Sequence, residues 1–74
     1  MKVAVQLFGP LAEQAGRPRL EVTVTGSTVR DVVAATGLKL DPSIRFALNT
    51  DYVGGEATIK EGDVVSLIPP VGGG

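Results

Sequence analysis

Residues 64–74 read VVSLIPPVGGG. The first half alternates, with Val65 and Leu67 on one side of an extended chain and Val64, Ser66 and Ile68 on the other. Val64–Pro69 is therefore expected to be a strand. Pro69 and Pro70 then withdraw two backbone donors and stiffen the exit. Three glycines follow, with no side chain to pack and the largest entropy to lose on ordering.

Candidate partners for this strand lie upstream. Lys2–Phe8 also alternates, with Val3, Val5 and Leu7 facing one way and Lys2, Ala4, Gln6 and Phe8 the other. Gly9-Pro10 breaks that strand, and Leu11–Ala15 is a turn or two of helix that Gly16 suits as a left-handed cap. Arg19–Thr25 alternates again, Leu20, Val22 and Val24 against Glu21, Thr23 and Thr25, until Gly26 ends it. Thr28 with Asp31 three residues on resembles a capping box, Asp standing where Glu or Gln is usual. Val29, Val32, Val33 and Thr36 then fall on one helical stripe that Gly37 closes. Leu38–Arg45 is irregular, with a turn at Asp41-Pro42. Short strands follow at Phe46–Leu48 and Tyr52–Val53, then a segment at Ala57–Ile59 and a turn over Lys60–Asp63.

One apolar helix stripe must cover one face of this sheet, which predicts a two-layer α+β domain. With the helix as a crossover, the first and last strands lie side by side and parallel at the centre. That is the β-grasp, or ubiquitin-like, arrangement: a mixed sheet with one main helix. Its expected extent is residues 1–70, with 71–74 as a flexible C-terminal glycine tail.

Composition narrows the function. Seventy-four residues allow one domain and no second core. Cysteine and histidine are both absent, which removes the commonest nucleophile, the commonest general base and the usual soft metal ligands. No metal site and no bound cofactor are expected. Seven basic and eight acidic residues are scattered along the chain, without the basic block of a nucleic-acid binder. No stretch approaches a membrane span or a secretory leader, so a cytoplasmic location is expected.

Two features remain for function. The helix-covered face takes Val3, Val5, Leu7, Val65 and Leu67, which leaves Phe8 and Ile68 facing outward; Tyr52, opposite in sense to Val53, can join them. An outward apolar patch of this kind marks a partner surface. The other feature is the tail. Val71–Gly74 can extend about 13 Å beyond the sheet, and Gly72 and Gly73 can thread a channel too narrow for any Cβ. An α-carboxyl is ionised at neutral pH and is a poor electrophile. Its oxygen can, however, attack an activated phosphate. Adenylation makes the carboxyl carbon of Gly74 an acyl electrophile with AMP as leaving group, open to a sulfur nucleophile or an amine.

Three stretches, KVAVQLFGPLAEQAG (2–16), LNTDYV (48–53) and KEGDVVSLIPPVGGG (60–74), together make the sequence similar to the small, sulfur-carrying subunits of molybdopterin synthase, within the ubiquitin-like sulfur carriers. The most specific part is the double proline before valine and a terminal Gly-Gly, which the thiazole-pathway carrier usually lacks. The resemblance implies a cycle in which a ubiquitin-activating-like adenylyltransferase uses ATP to adenylate the Gly74 carboxylate. A sulfur donor enzyme then supplies the sulfur of a thiocarboxylate. The catalytic subunit of molybdopterin synthase finally takes that sulfur into the pterin precursor. The chain is then not an enzyme on its own. Gly73 and Gly74 match the family's terminal pair, and Phe8, Tyr52 and Ile68, with Pro69, Pro70 and Val71 on the exit, match positions that meet partners. Related carriers serving tRNA thiolation, thiazole or cysteine synthesis, or conjugation to proteins, are the alternative. A plain interaction module with a spent tail is a third.

Overall fold

The computed structural model describes residues 1–70. The expected tail, with Val71, Gly72, Gly73 and Gly74, lies outside the described residues. In chain order the elements are β1 (Lys2–Leu7), α1 (Pro10–Ala15), β2 (Arg19–Thr23), α2 (Val29–Thr36), β3 (Arg45–Leu48), β4 (Asp51–Val53) and β5 (Val64–Ile68). They form a five-stranded mixed sheet in the order β2-β1-β5-β3-β4. β1 and β5 run parallel, in register from Ala4 with Val64 to Leu7 with Leu67, and the other three pairings are antiparallel. This is the β-grasp arrangement expected from the alternation.

Period two on β1 and β5 sends Val3, Val5, Leu7, Val65 and Leu67 to one face, where all are buried. Val29 and Val32 of α2 and Leu11 of α1 close over them, and Val24 and Ile59 complete the core. Each such side chain contributes about 1.5–3 kcal/mol by leaving water. The helix itself is locally weak, because β-branched valines lose rotamer freedom in a helix. Its start is fixed by the capping box: Asp31 N donates to Thr28 Oγ1, and the Asp31 carboxylate accepts from the backbone of Ser27 and Thr28.

Most elements shift at one boundary by one or two residues from expectation, β1 ending at Leu7 and not Phe8, and α1, β3 and β4 each starting one residue earlier. Two further shifts have a clear local cause. β2 stops at Thr23, yet Val24 stays anchored because its N–H donates to the Met1 carbonyl and its own carbonyl accepts from the Met1 ammonium. β5 stops at Ile68 because Pro69 has no N–H to enter the ladder. The Ala57–Ile59 segment makes a single bridge, Thr28 with Thr58, and inserts Ile59 into the core.

At the end of the sheet where β5 begins, a polar lock replaces apolar packing. Asn49, at φ 58, donates its backbone N–H to the Val64 carbonyl and accepts from Val64 N through its side chain. The buried Asp63 carboxylate accepts from Lys60 N at 2.8 Å and from Asn49 Nδ2 at 3.3 Å. The Lys60 N–H, then Asn49, hold its pKa below the ordinary aspartate value. Asp31 is lowered likewise, mainly by the Thr28 hydroxyl and backbone N–H.

Leu67→Ala should cost about 3 kcal/mol in urea unfolding, a large share of the margin of so small a domain. The aspartates give a second expectation. A carboxylate whose folded pKa is depressed contributes stability that is complete above its unfolded pKa and is lost as pH falls through the folded value. Asp63→Asn should therefore lower the melting temperature at neutral pH and flatten its fall below the ordinary aspartate range, as followed by circular dichroism.

Candidate functional site

β5 is fixed on both sides, by β1 and by β3, and delivers Pro69 and Pro70 at one end of the sheet's centre. Beside the exit, Gly9 turns the chain from β1 into α1 at φ 54, a conformation that side chains resist. A Cβ there would stand 4.0 Å from Pro69 Cγ. The β1–α1 corner thus abuts the first proline.

The two prolines form the wall between two clefts. On the sheet face that the helices leave open, Tyr52, Ile68, Pro69 and Pro70 meet with Ser43 and Arg45 around a cleft of about 480 Å³. Cross-strand register explains it, since Ile68 stands opposite Arg45 and Tyr52 opposite Ala47. Behind this lies a row of Gln6, Ser66 and Ala47, in which the Ser66 hydroxyl contacts the Gln6 side-chain carbonyl at 3.4 Å. Ser66 and Ala47 are small and nearly covered, so the taller Tyr52 stands over a shallow floor.

On the other side of the prolines, Pro10, Leu11 and Ile44 line an apolar groove of about 500 Å³ rimmed by Gln14, Lys39 and Asp41. Gln14 builds it: its amide oxygen accepts from Lys39 N at 2.8 Å and its amide nitrogen donates to the Lys39 carbonyl at 3.3 Å. This clamp straps the irregular 38–44 segment to α1. Asp41 accepts from the hydroxyl and the N–H of Ser43, which hold its pKa below the ordinary value.

Of the outward residues read from the sequence, Tyr52 is 68% exposed and Phe8 46% exposed. Ile68 and Pro69 are half-buried and Pro70 is exposed. Tyr52, Ile68, Pro69 and Pro70 share the open-face cleft; Phe8 does not line it. Phe8 follows β1, whereas Tyr52 lies on β4 with β5 and β3 between, a separation of about 14 Å at ordinary strand spacing. Val71, Gly72, Gly73 and Gly74 lie outside the described residues. Sequence reading missed the second groove. Its maker, Gln14, carried no signal, because the segment it clamps lies 25 residues away.

Among the described residues no helix is long and apolar enough to cross a membrane. A five-stranded mixed sheet of this order with two helices on one face defines a ubiquitin-like β-grasp protein. The chain belongs to the ThiS family, whose model matches residues 5–74, and is thus a ThiS-like carrier of sulfur. None of the curated protein sequences matches it significantly. Among solved structures it is similar to SAMP1 from Haloferax volcanii, at 28% identity over 100% of both chains with a TM-score of 0.85. It is likewise similar to a protein described as molybdopterin converting factor subunit 1 from Pyrococcus furiosus, at 28% identity over 96% of this chain and 99% of that one, TM-score 0.80. A third similar structure is the complex of subunits 1 and 2 of the molybdopterin-converting factor from Helicobacter pylori, at 26% identity over 100% of both matched chains, TM-score 0.69.

Gln14→Ala should leave the sheet intact and release the 38–44 strap. Amide hydrogen exchange at Lys39 should accelerate about fivefold, the loss of the hydrogen bond from its N–H being worth roughly 1 kcal/mol, while the Val5 and Val65 amides keep their protection.

Proposed function

We propose that this chain is the sulfur-carrier subunit of a molybdopterin synthase. The observation that carries this reading is the central strand ending at Pro69-Pro70, between an apolar cleft and a groove, with the family match running on through Gly74. Likeness to the converting-factor subunit and to a two-subunit complex supports the pathway. A carboxylate oxygen of Gly74 attacks the α-phosphate of ATP on an adenylyltransferase, and pyrophosphate leaves. A persulfide on a sulfur donor enzyme then attacks the acyl carbon and displaces AMP. A second thiol attacks the S–S bond of the resulting acyl disulfide, so that the thiocarboxylate leaves and the two donor sulfurs end as a disulfide. The catalytic subunit receives this end and passes its sulfur to the pterin precursor. Tyr52, Ile68, Pro69 and Pro70 supply docking contacts on the open face, and Phe8 a separate one beside β5.

Docking has to come from the body of the domain. Ordering each tail residue costs about 1–2 kcal/mol of backbone entropy, and glycines return no side-chain burial. Likeness to SAMP1 favours a second reading, a related carrier that modifies proteins or serves another sulfur pathway.

Reconstitution with ATP, an adenylyltransferase and a sulfur donor should give a species in which one oxygen is replaced by sulfur, seen by intact mass. Deleting Gly74 should abolish it without changing the circular dichroism spectrum. Ile68→Asp should weaken association with the catalytic subunit about tenfold, the scale of one lost interface anchor. Absence of any sulfurated species overturns the carrier reading. A sulfurated species that the catalytic subunit does not consume transfers the chain to the second reading.

A further inference from the structure

The formal charges are scattered in sequence but sorted in space. Strand pairing places Arg19 beside Gln6 and Arg45 beside Ile68, both toward the end where β5 exits. Arg17 joins them, because the Pro18 carbonyl accepts from Leu7 N at the end of β1. Lys39 is brought there by the Gln14 clamp and lines the groove against Pro69 and Pro70. Four of the seven basic residues therefore ring the exit, with Glu13 and Asp41 as the acidic residues among them. The remaining six side-chain carboxylates, including Asp63 in the polar lock and Asp31 at the start of α2, lie toward the far end or on the flank with three basic side chains and the Met1 ammonium. A chain of net charge −1 thus gathers an excess of two positive side-chain charges at one end.

Folding does not require this sorting. All four residues at the exit are exposed, and none forms an ion pair among the described residues. The ion pair found there is Arg30 with Glu56, at 2.9 Å, away from the exit. Gathered like charges repel one another, so their gain must be realised against something outside the domain. Their setting identifies the kind of partner. Arg45 shares a cleft with Tyr52 and Ile68, and Lys39 a groove with Leu11 and Ile44, so the cations form a polar margin around apolar centres, the anatomy of a protein interface. A nucleic-acid backbone would instead meet Glu13 and Asp41 within the ring and gain little from an excess of two charges.

We propose that Arg17, Arg19, Lys39 and Arg45 form a basic collar around the exit, and that it mates with an acidic rim on the protein surface that receives the tail. The proposal rests on the reading that the chain beyond Pro70 is delivered to a partner. The collar steers encounter and sets orientation, and the apolar clefts hold the complex once formed.

The test uses the full chain and the adenylyltransferase that activates it, with adenylation of the wild-type carrier measured first. No adenylation at all defeats the carrier reading itself. Given adenylation, the wild-type association rate should fall steeply as salt rises toward physiological strength, as opposite charges are screened. Arg19→Glu combined with Arg45→Glu, and separately Lys39→Glu, should each lower that rate about tenfold, within the range electrostatic steering commands. They should flatten its salt dependence and leave kcat unchanged. Lys60→Glu, at the far end, should leave the association rate and its salt dependence as in the wild type. Circular dichroism melts establish that each variant is folded. Collar variants that associate at the wild-type rate overturn the proposal, as does a collar that retains bulk tRNA in a filter assay more tightly than it binds the adenylyltransferase.

Discussion

The parallel pairing of β1 with β5 is the constraint from which the rest of the molecule follows. Two strands separated by most of the chain lie side by side, Val5 beside Val65 and Leu7 beside Leu67. Such a pairing needs a crossover to bring the chain back, and α2 covers the face that both strands turn inward. Placing β5 between β1 and β3 gives the exit strand hydrogen-bonded neighbours on both sides. The end of β5 is then the most firmly held launching point the sheet can offer. Loosening that pair would free the core, the clefts and the position of the exit together.

The clefts beside the exit depend on features of different range. On the open face, register alone gathers Tyr52 and Ile68 over the low floor of Ser66 and Ala47. On the α1 side, the groove exists because one glutamine grips the backbone of Lys39. One cleft is thus built mainly by the sheet and the other by a strap.

Much of the fold was legible in the sequence because its determinants are local. Alternation in KVAVQL and VVSLI named the buried residues of β1 and β5, and Thr28 with Asp31 marked the start of α2. What stayed hidden depends on which strands become neighbours. Phe8 and Tyr52 both point away from the core by alternation, but only strand order reveals two strands between them. Asp63 read as a turn residue, and its burial in a lock with Asn49 arises from a contact across 14 residues. The charge sorting was equally hidden, since Arg17, Arg19, Lys39 and Arg45 converge only after the strands pair.

The diproline carries one more consequence. Positions 69 and 70 have no N–H to donate to β1 or β3, so the sheet's zipper ends there by covalent structure and not by chance of packing. Whatever bond is made or broken further along finds no hydrogen-bonded ladder through which to tug on the domain. If the chain carries sulfur as proposed, its loaded and empty forms should therefore share one body and one melting point, which leaves any client to tell them apart by the carried group itself.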